Sequence, residues 1–190
     1  MTHAKPYLIT TLDFTNEADV SHVAHLLYAG FSNHSPAWPT YAAAYAEVCA
    51  QNDSSHCNLI ARTPTEIIGW IGAHPQYDGH AWELHPLVVA PTHQRRGIGR
   101  ALLNDLITIL QSRQVSTLFA WSDDETHSTS MGGVTLYPDP LTHLVSFMPT
   151  AHHAGGFYLR NGFVLSGVIP DANGAGKPDL LFVRPLSQKI

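Results

Sequence analysis

Apolar positions along this chain change rhythm several times, and each change marks a new element. Tyr7 to Phe14 alternates in part and is rich in β-forming residues, so it reads as a first strand closed by the cap-like pair Thr15-Asn16. Val20, Val23, Leu26 and Leu27 recur at helical spacing and predict a helix from about Glu17 to Gly30. Phe31 to Pro39, with Pro36, Trp38 and Pro39, reads as a loop, and the Ala-rich run Tyr41 to Gln51 as a second helix. Asn58 to Arg62, Glu66 to Ala73 and Ala81 to Val89 are three strands, separated by Thr63-Pro64-Thr65 and an Asp78-Gly79 turn, which makes an antiparallel meander.

The period then switches. Ile98, Leu102, Leu106 and Leu110, with Leu103 and Ile107 beside them, form an i, i+4 stripe that predicts a helix over Gly97 to Arg113. A strand over Thr117 to Trp121 follows, then a polar stretch from Ser122 to Pro140 and a helix over Thr142 to Phe147. A further helical piece ends at Phe157 to Gly162, where Gly162 sits like a C-cap. Phe163 to Ile169 and Leu180 to Pro185 finish as strands. The order predicts a mixed α/β (α+β) fold whose sheet is largely antiparallel and flanked by helices.

Composition narrows what such a fold could do. A length of 190 residues suits one domain, and 44% hydrophobic with 13% charged residues suits a globular one. Ten Lys plus Arg against 15 Asp plus Glu give a net charge of −5, which argues against a nucleic-acid binder held by phosphate contacts and favours a cationic small substrate. No apolar run reaches the ~18 residues of a membrane span, and Met1-Thr-His-Ala-Lys5 lacks the apolar core of a signal peptide, so no membrane is expected and the cytoplasm is the expected compartment. Cys49 and Cys57 lack Cys-x-x-Cys spacing and read as buried thiols. His22 and His25, i and i+3 on a helix, and the adjacent His152-His153 invite a metal, yet no His-Glu-x-x-His or Cys/His spacing appears, so no metal is expected.

Chemistry gathers at Gln94-Arg95-Arg96-Gly97-Ile98-Gly99-Arg100-Ala101, between a strand end and the strongest helix. Backbone N–H groups at a helix start point toward an anion, and Arg95, Arg96 and Arg100 concentrate positive charge in an acidic chain. A pyrophosphate is the natural guest, and a solvated basic helix start is the plainer alternative. The loop lacks the Lys-Ser/Thr of a Walker A sequence, and Leu102 stands where a dinucleotide fingerprint has its third Gly.

This segment resembles the acetyl-CoA pyrophosphate loop of the GCN5-related N-acetyltransferase superfamily, Gln/Arg-x-x-Gly-x-Gly/Ala, through Gln94, Gly97 and Gly99. More narrowly, Trp82-Glu-Leu-His-Pro-Leu-Val-Val89, Ser122-Asp-Asp-Glu125, Leu136-Tyr-Pro138, Phe157-Tyr158 with Gly162-Phe163, and Gly167-Val-Ile-Pro-Asp-Ala-Asn-Gly174 with Gly176-Lys-Pro-Asp179 are similar to the aminoglycoside 6'-N-acetyltransferases. The resemblance implies direct acetyl transfer from acetyl-CoA to the 6'-amino group of an aminoglycoside, by a chain that pairs as a homodimer. An N-acetyltransferase for another small amine or a protein terminus, and a non-catalytic acyl-CoA sensor, are the alternatives.

Alternation in Ala81 to Val89 puts Glu83 and His85 on one face and Trp82 and Leu84 on the other, and Pro86 removes a ladder bond and predicts a bulge. Backbone groups of Leu87, Val88 and Val89 can then line the extended arm of CoA, and the resemblance makes the Leu87 N–H the oxyanion donor. An alkyl ammonium must lose a proton before it attacks, and the family's match for the base is Glu83, with His85 beside it. Tyr158 matches the residue that protonates the departing thiolate. For a polycationic acceptor the candidate carboxylates are Asp123, Asp124, Glu125, Asp139, Asp171 and Asp179, with a solvated acidic loop as the alternative reading. Trp38 and Tyr41 could offer ring faces to sugars or cations, or simply pack a loop. Two features depart from the family: Thr40-Tyr-Ala-Ala-Ala-Tyr-Ala46 is followed by a single acid, Glu47, where an acid-rich segment is usual, and Thr135 replaces an Asp.

Overall fold

The computed structural model describes residues 6–31, 37–150 and 153–186. The chain divides into two compact units, Met1–Gln114 and Val115–Ile190. Met1 to Lys5, most of the Pro36-containing loop and His152 lie outside the described residues.

In the first unit β1 (Leu8–Thr11), β2 (Cys57–Arg62), β3 (Ile67–Gln76) and β4 (Ala81–Val89) lie side by side in that order, each antiparallel to the next. Helices α1 (Glu17–Phe31) and α2 (Tyr41–Ala50) precede β2, and α3 (Ile98–Ser112) follows β4. The Asn16 side chain accepts the N–H groups of Ala18 and Asp19 at 3.2 and 3.3 Å, and Thr40 Oγ1 accepts that of Ala43 at 3.1 Å, so two otherwise orphaned helix starts are satisfied. The stripe Val20, Val23, Leu26 and Leu27 packs with Ala44 and Val48 of α2 and with Ile60, Trp70 and Val88 of the sheet. Leu27 is fully buried, and Leu27→Ala would cost about 2–5 kcal/mol through lost burial and the cavity left behind. A polar thread runs through this core: Trp70 Nε1–H donates to Asn58 Oδ1 at 3.1 Å, and Asn58 Nδ2 donates to the Gln51 carbonyl at 3.1 Å.

In the second unit β5 (Thr117–Asp123) pairs with the last strand, β7 (Asp179–Pro185), which pairs in turn with β6 (Val164–Ile169), all antiparallel. Between β5 and β6 lie α4 (Pro140–Val145) and α5 (Ala154–Arg160). Phe182 and Leu180 of β7 and Leu118 and Ala120 of β5 are fully buried. Gly162 has φ +80°, the left-handed conformation that ends α5.

The expected α+β class is observed, with seven strands and antiparallel pairing throughout each unit. The first strand is shorter than expected, Leu8–Thr11 within Tyr7 to Phe14, and three further details differ. β3 runs on past Ala73 through His74, Pro75 and Gln76, because these pair with Glu83, Trp82 and Ala81 of β4, and the hairpin turns through Tyr77–Gly79 rather than at a two-residue turn. The α4 helix begins at Pro140, where a Pro fits the first turn without losing a ladder bond. Cys57 is buried as expected but Cys49 is exposed: Ala44 and Val48 take the inward face of α2, which leaves Tyr45 and Cys49, one turn apart, outside. Among the described residues no helix is long and apolar enough to cross a membrane.

Candidate active site

The basic loop closes onto the start of α3. Gly97 precedes the helix at φ +82° and Arg95 has φ +62°, so two left-handed residues turn the chain sharply. The first intrahelical bond runs from the Ala101 N–H to the Gly97 carbonyl at 3.0 Å, which leaves the N–H groups of Ile98, Gly99 and Arg100 directed out of the helix end. Gln94 Nε2 donates to the Val89 carbonyl at 3.1 Å and pins the loop to the end of β4. Arg95, Arg96 and Arg100 are exposed and form no ion pair among the described residues, while Ile98 and Ala101 turn inward as anchors. Oriented donors, a helix N-terminus and three uncommitted guanidiniums fit a pyrophosphate.

β4 supplies the reacting face. His85 and Pro86 together oppose Gly72 of β3, since Leu87 pairs with Ile71 and Leu84 with Ala73, so the bulge expected at Pro86 is present. Gly72 is needed there, because a Cβ would sit 2.5 Å from the His85 carbonyl oxygen. Beyond the bulge the Ala90 N–H donates to the Ile68 carbonyl at 2.9 Å. Antiparallel alternation then directs Val88 toward Trp70 and turns the Leu87 and Val89 N–H groups away from β3. Glu83 and His85 share one side of β4, opposite the buried Trp82 and Leu84, and because the bulge reverses the alternation Val88 lies on the same side as His85, against the α1 and α2 core.

Each of the two candidate bases has a partner. Glu83 Oε2 lies 3.4 Å from Nε2 of His74, directly across the ladder. His85 Nε2 lies 3.4 Å from Glu47 Oε1 of α2, which also accepts Gln51 Nε2 at 3.0 Å. The His85 contact, helped by Gln51 and Trp38 and opposed by burial, pulls the Glu47 carboxyl down to about 2. Trp38 is buried against Phe31, with ring centroids 4.8 Å apart, and stands 5.8 Å from His85. Tyr41 stacks on His25 at 4.2 Å and its hydroxyl meets Ser21 Oγ at 3.0 Å.

The second unit holds Tyr158 and the acidic candidates. Tyr158 is buried among Phe157, Phe163 and Phe182, and burial pushes its phenol up, so it stays protonated at every working pH. The helix carrying it is capped by His153, whose Nδ1 accepts the Gly155 N–H at 2.9 Å while Nε2 donates to the Asp123 carbonyl at 3.2 Å; burial pushes this imidazole down and keeps it neutral. Asp124 is almost fully buried and accepts the Ser128 N–H, the Thr129 N–H and the Thr129 hydroxyl at 2.6, 2.9 and 2.6 Å. Glu125 pairs with Lys177 at 2.9 Å and Asp123 accepts from Asn173 at 2.7 Å. Asp139 accepts from Thr142, Asp171 from the Gly176 N–H and Asp179 from the Leu180 N–H.

Glu47 and His74 are the groups that the sequence reading did not select. Ending the third strand at Ala73 hid His74, whereas extending the Trp82 to Glu83 alternation across the turn would have placed it opposite Glu83. Glu47 reaches His85 only through the packing of α2, for which there is no local signal.

A chain with an anion-binding helix start beside a bulged strand is built for an acyl-CoA, and comparison bears this out. Residues 21–137 match the acetyltransferase (GNAT) family, and the chain belongs to it. Acetyl-CoA is the acetyl donor of this family, and the loop residues fit its pyrophosphate. Among solved structures the chain is similar to an aminoglycoside 6'-N-acetyltransferase complexed with coenzyme A, at 28% identity and a TM-score of 0.87, covering 96% of this chain and 99% of that one. It is similar also to the aminoglycoside 6'-N-acetyltransferase from Enterococcus faecium, at 30% identity and a TM-score of 0.86 with the same coverage. The ribosomal-protein-S18-alanine N-acetyltransferase from Escherichia coli shares the fold at 18% identity and a TM-score of 0.68. An uncharacterized protein of Mycobacterium leprae (strain TN) is 29% identical over 157 residues; the match covers 80% of this chain and 39% of that longer protein.

Proposed function

We propose that this acetyltransferase acts on the 6'-amino group of aminoglycosides, by direct transfer within one complex of donor and acceptor. The observation that carries this reading is the near full-length likeness, at 28–30% identity, to two aminoglycoside 6'-N-acetyltransferases. Because the family match runs across the division between the two units, we take the whole chain as one catalytic domain.

Acetyl-CoA supplies an activated acetyl thioester. Arg95, Arg96, Arg100 and the N–H groups from Gly97 to Arg100 hold its pyrophosphate, and Val88 and Val89 lie along its extended arm. The Leu87 N–H, turned away from β3, donates to the carbonyl oxygen as negative charge develops there; losing one such donor, where it is a side chain, costs about 2.7–4 kcal/mol of barrier. Glu83 takes a proton from the acceptor ammonium. His85, already engaged by Glu47, stands beside it as a second group on the same face. Tyr158 holds a proton for the departing sulfur: a phenol this buried loses its proton reluctantly, so it acts mainly as a hydrogen-bond donor while thiolate charge builds. Asp123, Glu125, Asp139, Asp171 and Asp179 are the candidate carboxylates for the cationic acceptor, and Trp38 and Tyr41 the candidate ring faces.

The rival reading, another small amine, draws on the segment Tyr41 to Ala46, which carries no acid, and on Glu47, which is already paired. Thiol release from acetyl-CoA over a panel of kanamycin-type compounds, polyamines and N-terminal peptides separates the two. Turnover on kanamycin A is expected; turnover confined to polyamines or peptides overturns the proposal, and acetyl-CoA binding without turnover on any amine leaves a sensor.

A further inference from the structure

Behind Glu83 the first unit holds a row of titratable side chains that the acetyl-transfer chemistry does not use. His74 sits across the ladder from Glu83 on β3, with its Nε2 at 3.4 Å from the carboxylate. On the far side of His74 is His56, just before β2, the ring centroids 5.3 Å apart and the planes tilted by 37°. The backbone of His56 is tied to an exposed turn, its main-chain N–H donating to the Asp53 carbonyl at 3.0 Å. Both imidazoles bury Nδ1 without a hydrogen-bond partner, so each ring has one nitrogen free to pass a proton on. A separation of this size is one that a single water molecule spans.

We propose that His74 and His56 form a proton exit row that resets Glu83 between turnovers. The inference rests on the reading of Glu83 as the base. As the acceptor ammonium N–H bond breaks, its proton moves to a Glu83 oxygen. That proton passes to His74 Nε2, and the ring releases a proton from Nδ1 toward His56 and out to water at the Asp53 turn. Charge and atoms balance with no further reactant, because water is the final acceptor. The row is needed once donor and acceptor cover the open side of Glu83, since the route through β3 and β2 is then the one that leads away from both. His74 is thus a relay residue: it touches Glu83 and not the substrate.

A relay and a merely structural histidine differ in timing. In the first turnover Glu83 carries no proton from an earlier acceptor and needs no relay, whereas every later turnover must first clear that proton. Rapid-quench and steady-state rates with acetyl-CoA and kanamycin A are therefore compared in the parent protein, His74→Ala and His74→Gln. The Gln variant keeps a donor near Nε2 but cannot carry a proton through. In both variants the first acetyl transfer should keep the parent rate, followed by a steady state slowed roughly tenfold, below the 10²-fold expected of the group that takes the proton directly. Added imidazole should restore the steady state of His74→Ala and leave Glu83→Gln unchanged. His56→Ala should show the same burst with a smaller loss.

Parent steady-state rates in both His74 variants would overturn the relay. So would a first turnover slowed as much as the later ones, or recovery in His74→Gln alone, which is the mark of a hydrogen bond that only orients. A parent protein with no turnover on kanamycin A overturns the proposed acceptor, and a Glu83→Gln enzyme at the parent rate overturns the reading of Glu83 as the base; either result is distinct from loss of the relay alone.

Discussion

Residues 95–100 hold three exposed guanidiniums with no carboxylate paired to them among the described residues, while residues 123–125 hold three carboxylates that are each already bonded to a neighbour. One charged segment is left open in the folded chain and the other is engaged by it. An exposed, unpaired charge contributes little to stability and is free for a ligand, whereas a charge that closes a loop has already given up its solvation to the fold. On the proposed function the donor pyrophosphate meets ready-made groups, whereas a cationic acceptor must compete with Asn173 for Asp123 and with Lys177 for Glu125, and finds Asp124 turned inward.

Glu83 lies between these two conditions, partly buried beside its partner histidine, and the largest effect is expected there. Glu83→Gln should lower kcat by about 10²-fold or more. The loss should be deepest at low pH, where the acceptor amine is most fully protonated, and shrink as free amine becomes abundant. A pH–rate profile parallel to that of the parent would move the role of base to His85.

Asp124 tests the engaged side of the comparison. Its carboxylate satisfies three donors in a buried turn, so Asp124→Asn should cost about 2 kcal/mol of stability, a fall in Tm of roughly 4–8 °C in a chain of this size. Asp123→Asn, at an exposed strand end, should leave Tm nearly unchanged and raise KM for a polycationic acceptor. If the two variants exchange these signatures in calorimetry and kinetics, the division between structural and open carboxylates is wrong.

The open side predicts the reverse pattern. Arg96→Glu should not shift Tm in the absence of ligand but should weaken acetyl-CoA about tenfold, the worth of one charge-assisted hydrogen bond. Isothermal titration checks it, together with thermal melts in saturating acetyl-CoA, where the ligand-dependent rise should shrink. Unchanged affinity would return Arg96 to the role of a solvated charge.

The same contrast explains what the sequence made legible. The basic loop, the Gly97 turn and α3 are local in the chain, so spacing alone marked both the element and its chemistry. The alternation of Glu83 and His85 was equally local, and Pro86 announced the bulge. Partners were another matter, because His74 meets Glu83 through strand register and Glu47 meets His85 through helix packing, and neither separation carries a motif. Asp124 shows the limit most clearly: Ser122-Asp-Asp-Glu125 reads as three equivalent acids, and only the fold of residues 124–129 reveals that the middle one is consumed by backbone donors.

The smallest effect belongs to Glu47, the acid that the acid-poor helix α2 retains. His85, with help from Gln51, holds its carboxyl at about 2 against an ordinary 4.5, so the folded state binds this proton more weakly than the unfolded chain does. The stabilisation is therefore present above about pH 4.5 and is lost as the pH falls from there through about 2. Because both side chains of the pair are partly exposed, solvent screening cuts its worth to under about 1 kcal/mol. Glu47→Gln should accordingly melt a degree or two below the parent at about pH 6, with the gap closing as the pH is lowered toward about 3. Its kcat/KM should respond differently, since an unheld His85 is free to move toward Glu83 on the same side of the strand. A gap that widens in acid would mean that Glu47 is protonated in the native state and that His85 is not its anchor. Equal melting at every pH, with kinetics unchanged, would place Glu47 among the open carboxylates and add it to the candidates for the cationic acceptor.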